Sequence, residues 1–405
     1  MHLLIVNVHF APDTYGGATI VAEAIAQSLR VRHGVRISAF SAMSRSDLVP
    51  YSVMRVETGG ITNYMINLPA MRPPEMRDDN AIVSSRLSRL VADIQPDLAH
   101  VHCVQDLGAG VMEVLHQADV PTVLSIHDFW WVCERQFMMR SDGRPCAQNP
   151  IDVENCRGCV TSIGSARFRS RHLLRLAALA DEVTYPSRWA MDLSRGSGLA
   201  PSKGVVLPNG VCLPAQGFET LVQARLRRDP RPAFGFLGGP SDAKGWPIVR
   251  DAFAGLGRDG YRLLLVDGAL HGSWWTGVEI PQVGGEVAVI PRFNQEAADA
   301  FYAEIDVLLF LSQCRETFGL SIREAIARGV RVIQTDSGGT VEHPLADPAT
   351  MLRIGDGPDR LRDLIVQVLD MPDRRLAPVA VDSYADQAEG FWAIAERVLA
   401  ARARS

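Results

Sequence analysis

The chain has 405 residues, of which 47% are apolar, and its formal net charge at pH 7 is −5. This length suggests two or three domains, each able to bury a hydrophobic core. The nearly balanced charge argues against a nucleic-acid partner, and the sequence has no apolar run of about 18 residues that would predict a transmembrane helix.

The first residues, MHLLIVNVHF, show neither a basic leader nor a small-residue cleavage site. They predict a first β-strand over 3–8 rather than a signal peptide, and we therefore expect a cytoplasmic protein. Gly16 and Gly17 follow that strand and precede a helical periodicity over 19–29. A strand, a glycine loop and a helix can bring backbone amides close to a phosphate, although such a loop is often only a turn.

The first half of the chain alternates between strands and helices. Strands are predicted over 35–40, 98–102 and 122–126, which indicates a doubly wound parallel sheet. Such sheets bind ligands at the carboxyl ends of their strands, and His102 and His127 both fall at such ends. We interpret His102 as a structural residue and keep His127 as a candidate for function.

An insert over 130–160 contains four of the seven cysteines: Cys133, Cys146, Cys156 and Cys159. A cytoplasmic chain does not keep stable disulfides, whereas four thiolates in a short polar loop fit a tetrahedral structural zinc site. An iron–sulfur cluster is the second choice, because both metals accept four thiolates. The remaining alternative is four reduced cysteines without a metal.

A basic amphipathic stretch follows over 166–180, with the sequence ARFRSRHLLRLAALA. Its arginines flank leucines at helical spacing, so it could rest on an anionic membrane surface. An ordinary helix with an exposed basic side fits the same pattern. The sequence leaves both interpretations open.

The second half begins with a polar, arginine-rich segment over 216–232, which we interpret as an interdomain linker. Strands are predicted from 233 and over 262–266 and 287–290. Lys244 lies in a glycine loop after the first of these, and one lysine beside mobile backbone can neutralise a diphosphate. No D-x-D motif, a carboxylate pair that can hold a divalent cation, occurs in the chain, and we expect no catalytic divalent metal.

The segment CRETFGLSIREAIARGVRVIQTDSGGTV, starting at Cys314, carries two acids. An apolar strand over 305–311 precedes it, and Gly319 opens a helix, so Glu316 lies in a loop and Glu324 lies inside the helix. The unpaired amides at a helix start suit a phosphate. Carboxylates beside a phosphate need another partner, and sugar hydroxyls fit that role.

This E-x7-E pattern around TFGLSIR resembles the donor-site signature of retaining GT-B glycosyltransferases, specifically glycosyltransferase family 4. The PSRW segment at 186–189 and the PNGV segment at 208–211 are similar to others in that family. The resemblance implies an α/β GT-B fold with two doubly wound Rossmann-like domains facing across a cleft. The implied domains are an acceptor-side domain over 1–215, a nucleotide-sugar domain over 216–380, and a helix within 381–405 that crosses back to the first domain.

The resemblance also implies roles for individual residues. Glu316 would hold sugar hydroxyls, Glu324 the ribose diol, and Lys244 the leaving diphosphate. His127 matches a strand-end histidine thought to contact the donor sugar near its reacting carbon. The other implied donor contacts are Gly16, Gly17, Arg292, Phe293, Thr317, Phe318, Gly319 and Leu320. The family has an arginine where this chain has Gly238-Gly239, so one of two leaving-group cations is missing from the pattern.

The implied activity is retaining transfer of a sugar from a UDP- or GDP-sugar to a hydroxyl of a glycan or a lipid-linked acceptor. Polysaccharide, lipopolysaccharide or glycolipid synthesis would be the setting, at the inner face of the membrane if the basic stretch binds lipid. The segment 57–77 and the cysteine insert are expected to be acceptor loops. A sugar-nucleotide epimerase of the same architecture and a non-catalytic binding homologue are the alternatives.

Overall fold

The structure is a computed structural model that describes residues 1–269, 271–281 and 283–404, apart from the side chains of Pro74 and Glu75. The chain divides into two compact units. Unit 1 contains Met1–Phe137, Ala147–Gly210 and the chain from Tyr384 onward, and unit 2 contains Met138–Cys146 and Val211–Ser383. The predicted domain boundaries stay predictions.

Unit 1 is built on an eight-stranded sheet in the order β3-β4-β2-β1-β5-β6-β7-β8. All neighbouring strands are parallel except the β3–β4 pair. The strands are β1 (His2–Val6), β2 (Arg36–Met43), β3 (Val53–Thr58), β4 (Ile61–Asn67), β5 (Leu98–Val101), β6 (Thr122–Ser125), β7 (Glu182–Tyr185) and β8 (Val205–Val206).

Helices connect these strands and start at side-chain caps where the sequence supplies them. Asn80 accepts hydrogen bonds from the amides of Ile82 and Val83, and Ser162 and Ser187 cap the helices that follow them. The helices are α1 (Gly17–His33), α2 (Ala81–Ile94), α3 (Gly110–Gln117), α4 (Ile163–Ala177) and α5 (Arg188–Gly196).

The predicted acceptor loop over 57–77 starts inside a β-hairpin, because residues 53–67 form two paired strands. Its contact with an acceptor stays a prediction. Strands β3 and β4 pair in antiparallel fashion, with Thr58 opposite Ile61. Gly59 and Gly60 form the turn with φ of 60° and 76°. Two residues with positive φ are what a tight hairpin turn requires, and glycine adopts them without steric cost.

Unit 2 is built on a six-stranded parallel sheet in the order β11-β10-β9-β12-β13-β14. Because β9, β12 and β13 are neighbours, the loops after their carboxyl ends come together. The strands are β9 (Ala233–Phe236), β10 (Arg262–Asp267), β11 (Glu286–Pro291), β12 (Val307–Phe310), β13 (Arg331–Asp336) and β14 (Met351–Arg353). The helices are α6 (Phe218–Arg228), α7 (Trp246–Ala254), α8 (Ala298–Glu304), α9 (Leu320–Ala327) and α10 (Pro358–Leu369).

The predicted linker over 216–232 is wrong, because helix α6 occupies most of it. Arg225 in that helix is 1% exposed and makes a two-pronged ion pair with Asp306, at 3.1 and 2.9 Å. Phe218 and Val222 are buried beside it. The segment is therefore part of the core of unit 2.

The last helix, α11 (Tyr384–Arg402), belongs to unit 1. Phe391 and Ile394 are buried on it, and the ring of Trp392 stacks on His33 of α1 at a centroid distance of 4.2 Å. None of the helices in the described ranges combines the length and apolar composition needed to cross a bilayer.

Candidate active site

Lys244 and Glu316 meet at the carboxyl edge of the unit 2 sheet, from the loops after β9 and β12. Lys244 Nζ lies 2.5 Å from Glu316 Oε1, and Ser312 Oγ donates to the same oxygen at 2.7 Å. The two charged side chains are 42% and 21% exposed. Burial lowers the pKa of Lys244, but the charge and hydrogen bond of Glu316, together with the charge of Cys314, outweigh that effect and leave the pKa raised.

The loop after β13 is bonded to the backbone of Glu316. The amide of Glu316 donates to the carbonyl of Ser337 at 2.8 Å, and the amide of Gly339 donates to the carbonyl of Glu316 at 3.0 Å. Main-chain hydrogen bonds therefore hold the Ser337–Thr340 loop beside Glu316. This gives the loop a fixed position that does not depend on the Glu316 side chain.

Arg323 fastens the same loop to the start of α9, a role that the sequence reasoning missed. Its side chain is 4% exposed, and its guanidinium donates to the backbone carbonyls of Phe318, Gly339, Thr340 and Glu342. The guanidinium also lies over the Phe318 ring, 4.2 Å from its centroid. Burial lowers its pKa to about 10, so it is still charged at neutral pH.

The predicted phosphate cradle lies where α9 begins. Thr317 and Phe318 are buried, and Gly319 is the N-cap with φ of 90°. Leu320 is the first helical residue, one position later than the sequence predicted. A Cβ on Gly319 would meet Ile322 and Thr340 at 3.2 Å, and the positive φ would strain any larger residue.

Glu324 lies inside α9 and is 6% exposed, so it is not a solvated acid on a helix face. The Tyr302 hydroxyl donates to its Oε2 at 2.8 Å. Burial raises the pKa of Glu324, and the bond from Tyr302 and the charge of Arg328 partly oppose that rise. Arg328 is itself paired with Asp299 at 2.7 Å.

Arg292 and Phe293 follow β11, which is the edge strand two places from β9 in the sheet. Arg292 is exposed, whereas Phe293 is half-buried and its ring stacks on Phe301 at 5.0 Å. The structure therefore does not bring them into the Lys244–Glu316 cluster. Their predicted contact with the nucleotide base stays a prediction.

An aromatic ring lies against the glycines at which the family pattern has an arginine. A Cβ on Gly239 would lie 2.7 Å from the Trp274 indole, and one on Gly268 would lie 2.4 Å from it. A Cβ on Gly238 would meet the Cβ of Lys244 at 2.7 Å. The glycine loop thus runs between Lys244 and the Trp274 indole, which is 39% exposed. The sequence reasoning missed this packing of Trp274 on the loop.

The other predicted site residues belong to unit 1. Gly16 and Gly17 are exposed where α1 begins, and Gly16 has φ of 80° with open space where a Cβ would be. His127 follows β6, and its Nε2 lies 2.9 Å from Nδ1 of His102. The sequence interpretation of His102 as a purely structural residue missed this bond, although β5 and β6 are neighbours and both histidines follow their carboxyl ends.

The four cysteines of the insert are all described, and Cys146 is grouped with unit 2 while the other three are grouped with unit 1. Across the ranges that the structure covers, no three or more His, Cys, Asp or Glu residues are placed to hold a metal ion. The thiols as placed therefore do not form a ligand set. The zinc and iron–sulfur assignments stay predictions.

The arginines of the basic stretch on α4 are largely ion-paired within unit 1. Arg167 pairs with Glu154, Arg169 pairs with Asp78 at 2.9 Å, and Arg175 pairs with Glu113 at 3.4 Å. This pairing leaves less positive charge for an anionic surface. Peripheral membrane contact stays a prediction.

Two protein-family models match this chain. The chain matches the model of Glycosyltransferase Family 4 over residues 15–213 and that of Glycosyl transferases group 1 over residues 218–378. The comparison with curated proteins gives no significant match.

Solved structures share the fold at low identity. Sucrose-phosphate synthase from Thermosynechococcus elongatus is 16% identical, with a TM-score of 0.65 over 100% of this chain and 97% of that one. An alpha,alpha-trehalose-phosphate synthase (UDP-forming) from Burkholderia xenovorans is 13% identical, with a TM-score of 0.67 over 98% and 100%. Anabaena HepE in complex with UDP-glucose is 16% identical, with a TM-score of 0.60 over 100% and 98%.

These likenesses confirm the predicted α/β class and the GT-B fold, and the two family models together match most of the chain. The chain belongs to glycosyltransferase family 4.

Proposed function

We propose that this glycosyltransferase moves a sugar from a nucleoside-diphosphate sugar to a hydroxyl acceptor, with retention of the anomeric configuration. The observation that carries the proposal is the cluster of Lys244, Glu316 and the Ser337–Thr340 loop at the carboxyl ends of adjacent parallel strands. That edge is where such sheets bind ligands. A cation, a carboxylate and a rigid glycine loop suit a ligand that carries both phosphates and hydroxyls.

Each side chain has a distinct part in this proposal. The Lys244 ammonium has three N–H donors, so it can bind a diphosphate oxygen and keep its bond to Glu316. The Glu316 carboxylate accepts hydrogen bonds from sugar hydroxyls. Glu324 would hold the ribose diol, although its Oε2 already accepts from Tyr302, so the diol would have to share that carboxylate.

Retention is proposed to proceed by attack on the same face from which the diphosphate departs. The acceptor oxygen bonds to the anomeric carbon as the bond from that carbon to the phosphate oxygen breaks. The acceptor proton passes to the departing phosphate oxygen, so no protein base is required. Lys244 would stabilise the negative charge that develops there.

A UDP-sugar is the first donor to test, because HepE was solved with UDP-glucose and the Burkholderia synthase is described as UDP-forming. GDP-sugars are the second choice. For the acceptor we propose a glycan or a lipid-linked hydroxyl. The exposed Phe168 on α4 would be the contact with a lipid surface.

The test combines binding and turnover. A set of UDP- and GDP-sugars is screened by thermal shift, since a ligand bound only by the folded state raises apparent stability. The best donor is then incubated with glycan and lipid-linked acceptors, and the product linkage is read by NMR. An α-donor giving an α-linked product supports the proposal, whereas an inverted product overturns retention. Conversion of the donor without any acceptor would instead indicate an epimerase.

Trp274 gives a prediction within this proposal. We expect donor or UDP binding to change the fluorescence of this half-exposed indole, and Trp274→Ala to weaken UDP binding about tenfold. The reason is that an aromatic wall beside a bound nucleotide contributes roughly 1–3 kcal/mol per stacked base. Titration by intrinsic fluorescence and by calorimetry measures both effects. Trp392→Phe in unit 1 is the control and is expected to bind as the unaltered protein does; equal affinity for Trp274→Ala would contradict the assignment.

The metal prediction is tested by composition. We propose that Cys133, Cys146, Cys156 and Cys159 hold one structural zinc, on the strength of their spacing in one polar insert. Elemental analysis of the purified protein is expected to give about one zinc per chain, given four thiolate ligands. Cys103→Ser should keep the metal, whereas Cys156→Ser should lose it. Iron with labile sulfide would favour the cluster instead, and four titratable thiols without metal would end the proposal.

A further inference from the structure

Four aromatic rings form a continuous row inside unit 1. Phe391 of α11 stacks on His100 at 4.0 Å, His100 contacts His102 at 3.9 Å, and His102 contacts His127 at 5.1 Å between centroids. His100 and His102 are 0% and 1% exposed. The row thus runs from the core of the unit to the strand end where His127 lies.

Hydrogen bonds hold both ends of the three-histidine part of this row. Thr184 and Ser125 share a bond of 2.6 Å between their hydroxyls, and Ser125 Oγ lies 2.7 Å from Nε2 of His100. At the other end, Nδ1 of His102 lies 2.9 Å from Nε2 of His127. Burial lowers the pKa of all three imidazoles, that of His127 to about 4, so the rings are neutral at pH 7.

Between two neutral imidazoles, one nitrogen donates a proton and the other accepts it. If His127 donated from Nε2, His102 would carry its own proton on Nε2. That atom is buried and has no hydrogen-bond partner among the residues that the structure describes. A buried N–H without an acceptor is costly and rare, so the arrangement in which His102 donates from Nδ1 is favoured.

We propose that His102 is a positioning residue for His127, donating from its Nδ1 and thereby fixing His127 as the tautomer that is protonated at Nδ1. His127 then offers a neutral N–H donor, and the fixed ring orientation keeps that donor in one direction. The proposal rests on the proposed role of His127 in contacting the donor sugar. It adds the reason why His127 acts as a hydrogen-bond donor rather than as a base.

Two substitutions at one position separate positioning from packing. In asparagine the amide nitrogen lies two bonds from Cβ, as Nδ1 does in histidine, so His102→Asn can keep the donated bond. In glutamine the amide lies three bonds from Cβ, as Nε2 does, so His102→Gln removes it. We expect His102→Gln to lower kcat about tenfold with the donor KM within about threefold, which is the loss of one hydrogen bond. His102→Asn is expected to keep kcat within about threefold.

The tautomer is read directly by ¹⁵N NMR of the histidine-labelled full chain without substrate, with His127→Gln identifying the signal. The expected spectrum shows His127 protonated at Nδ1 in the unaltered protein and in His102→Asn, and shifted toward Nε2 protonation in His102→Gln. His127 protonated at Nε2 in the unaltered protein overturns the proposal, even if neither variant folds. Equal kcat for both variants also overturns it. Because the spectrum needs no turnover, a failure of the protein to transfer sugar would count against the proposed function and not against the tautomer.

Discussion

Glu316→Ala is expected to lower the rate of sugar transfer by at least about a hundredfold, and Glu316→Gln by less. Loss of a single preorganised polar group at a reacting centre costs about 10²–10³ in kcat. Alanine removes the carboxylate that would hold the sugar hydroxyls and also frees the Lys244 ammonium. Glutamine keeps a hydrogen-bond acceptor for Ser312 but loses the charge. Steady-state transfer with the donor found by screening measures both variants.

The fold should survive this change, which makes the activity interpretable. The backbone of Glu316 is held by its own bonds to Ser337 and Gly339, and neither bond involves the side chain. The side chain is also 21% exposed, so its removal leaves no sealed cavity. Thermal unfolding of Glu316→Ala should therefore match that of Glu279→Gln, an exposed acid of the same unit that serves as the control.

A double substitution decides what Glu316 does. If its task is only to orient Lys244, then Lys244→Met alone and the Lys244→Met, Glu316→Ala pair should have equal rates. If Glu316 also contacts the sugar, the pair should be slower than Lys244→Met alone. Turnover of Glu316→Ala at the rate of the unaltered protein would remove Glu316 from the site altogether.

The alternating apolar runs were enough to predict parallel α/β sheets, because buried parallel strands are short, continuous and apolar. The GT-B fold was predicted from the resemblance to the family. The predicted strands over 98–102 and 305–311 appear as β5, which ends one residue earlier, and β12, which is shorter at both ends. The positions of Glu316 and Lys244 in loops after strands were also predicted, and those strands turn out to be neighbours. Here the motif and the topology point to the same edge of the sheet.

A buried charged residue accounts for the wrong linker prediction, and a two-glycine turn accounts for the missed hairpin. The segment containing Arg225 has the composition of a linker, and only the folded chain reveals that Asp306 and the carbonyl of Arg231 accept hydrogen bonds from the two terminal nitrogens of its guanidinium. Its apolar residues, Phe218 and Val222, do have helical spacing, which was the available signal. The hairpin turn at Gly59-Gly60 was likewise readable as a two-glycine turn between strands.

Pairings between distant side chains are a different matter. The residues next to Trp274 and His102 in the sequence do not predict that Trp274 packs on Gly239 or that His102 faces His127. Both contacts depend on how the strands are ordered in the sheet. Arg323 shows the same limit within the best motif of the chain. It stands one residue before Glu324, where an exposed arginine would be the ordinary expectation.

Arg323→Met should destabilise unit 2 by about 3 kcal/mol or more. Three of the four carbonyls that it bonds, those of Phe318, Gly339 and Thr340, belong to buried residues, and a buried group left without a partner costs about 1–3 kcal/mol. Arg323→Lys should recover little, because one ammonium cannot reproduce the planar fork that bonds several carbonyls at once. Urea unfolding, followed by circular dichroism, measures the change.

The same variant tests whether Arg323 fixes the Ser337–Thr340 loop. In Arg323→Met, hydrogen exchange should become faster over 336–342 by a larger factor than over β9 and β12. The reason is that the loop loses its link to α9 while the sheet keeps its own hydrogen bonds. Arg353→Met, an exposed arginine of the same unit, is the control and should leave both regions unchanged. Donor affinity should fall together with the protection of the loop from hydrogen exchange, because binding would then have to order a loop that is already ordered in the unaltered protein. An unchanged rate of hydrogen exchange over 336–342, despite a loss of overall stability, would mean that Arg323 supports the core of unit 2 and not the Ser337–Thr340 loop.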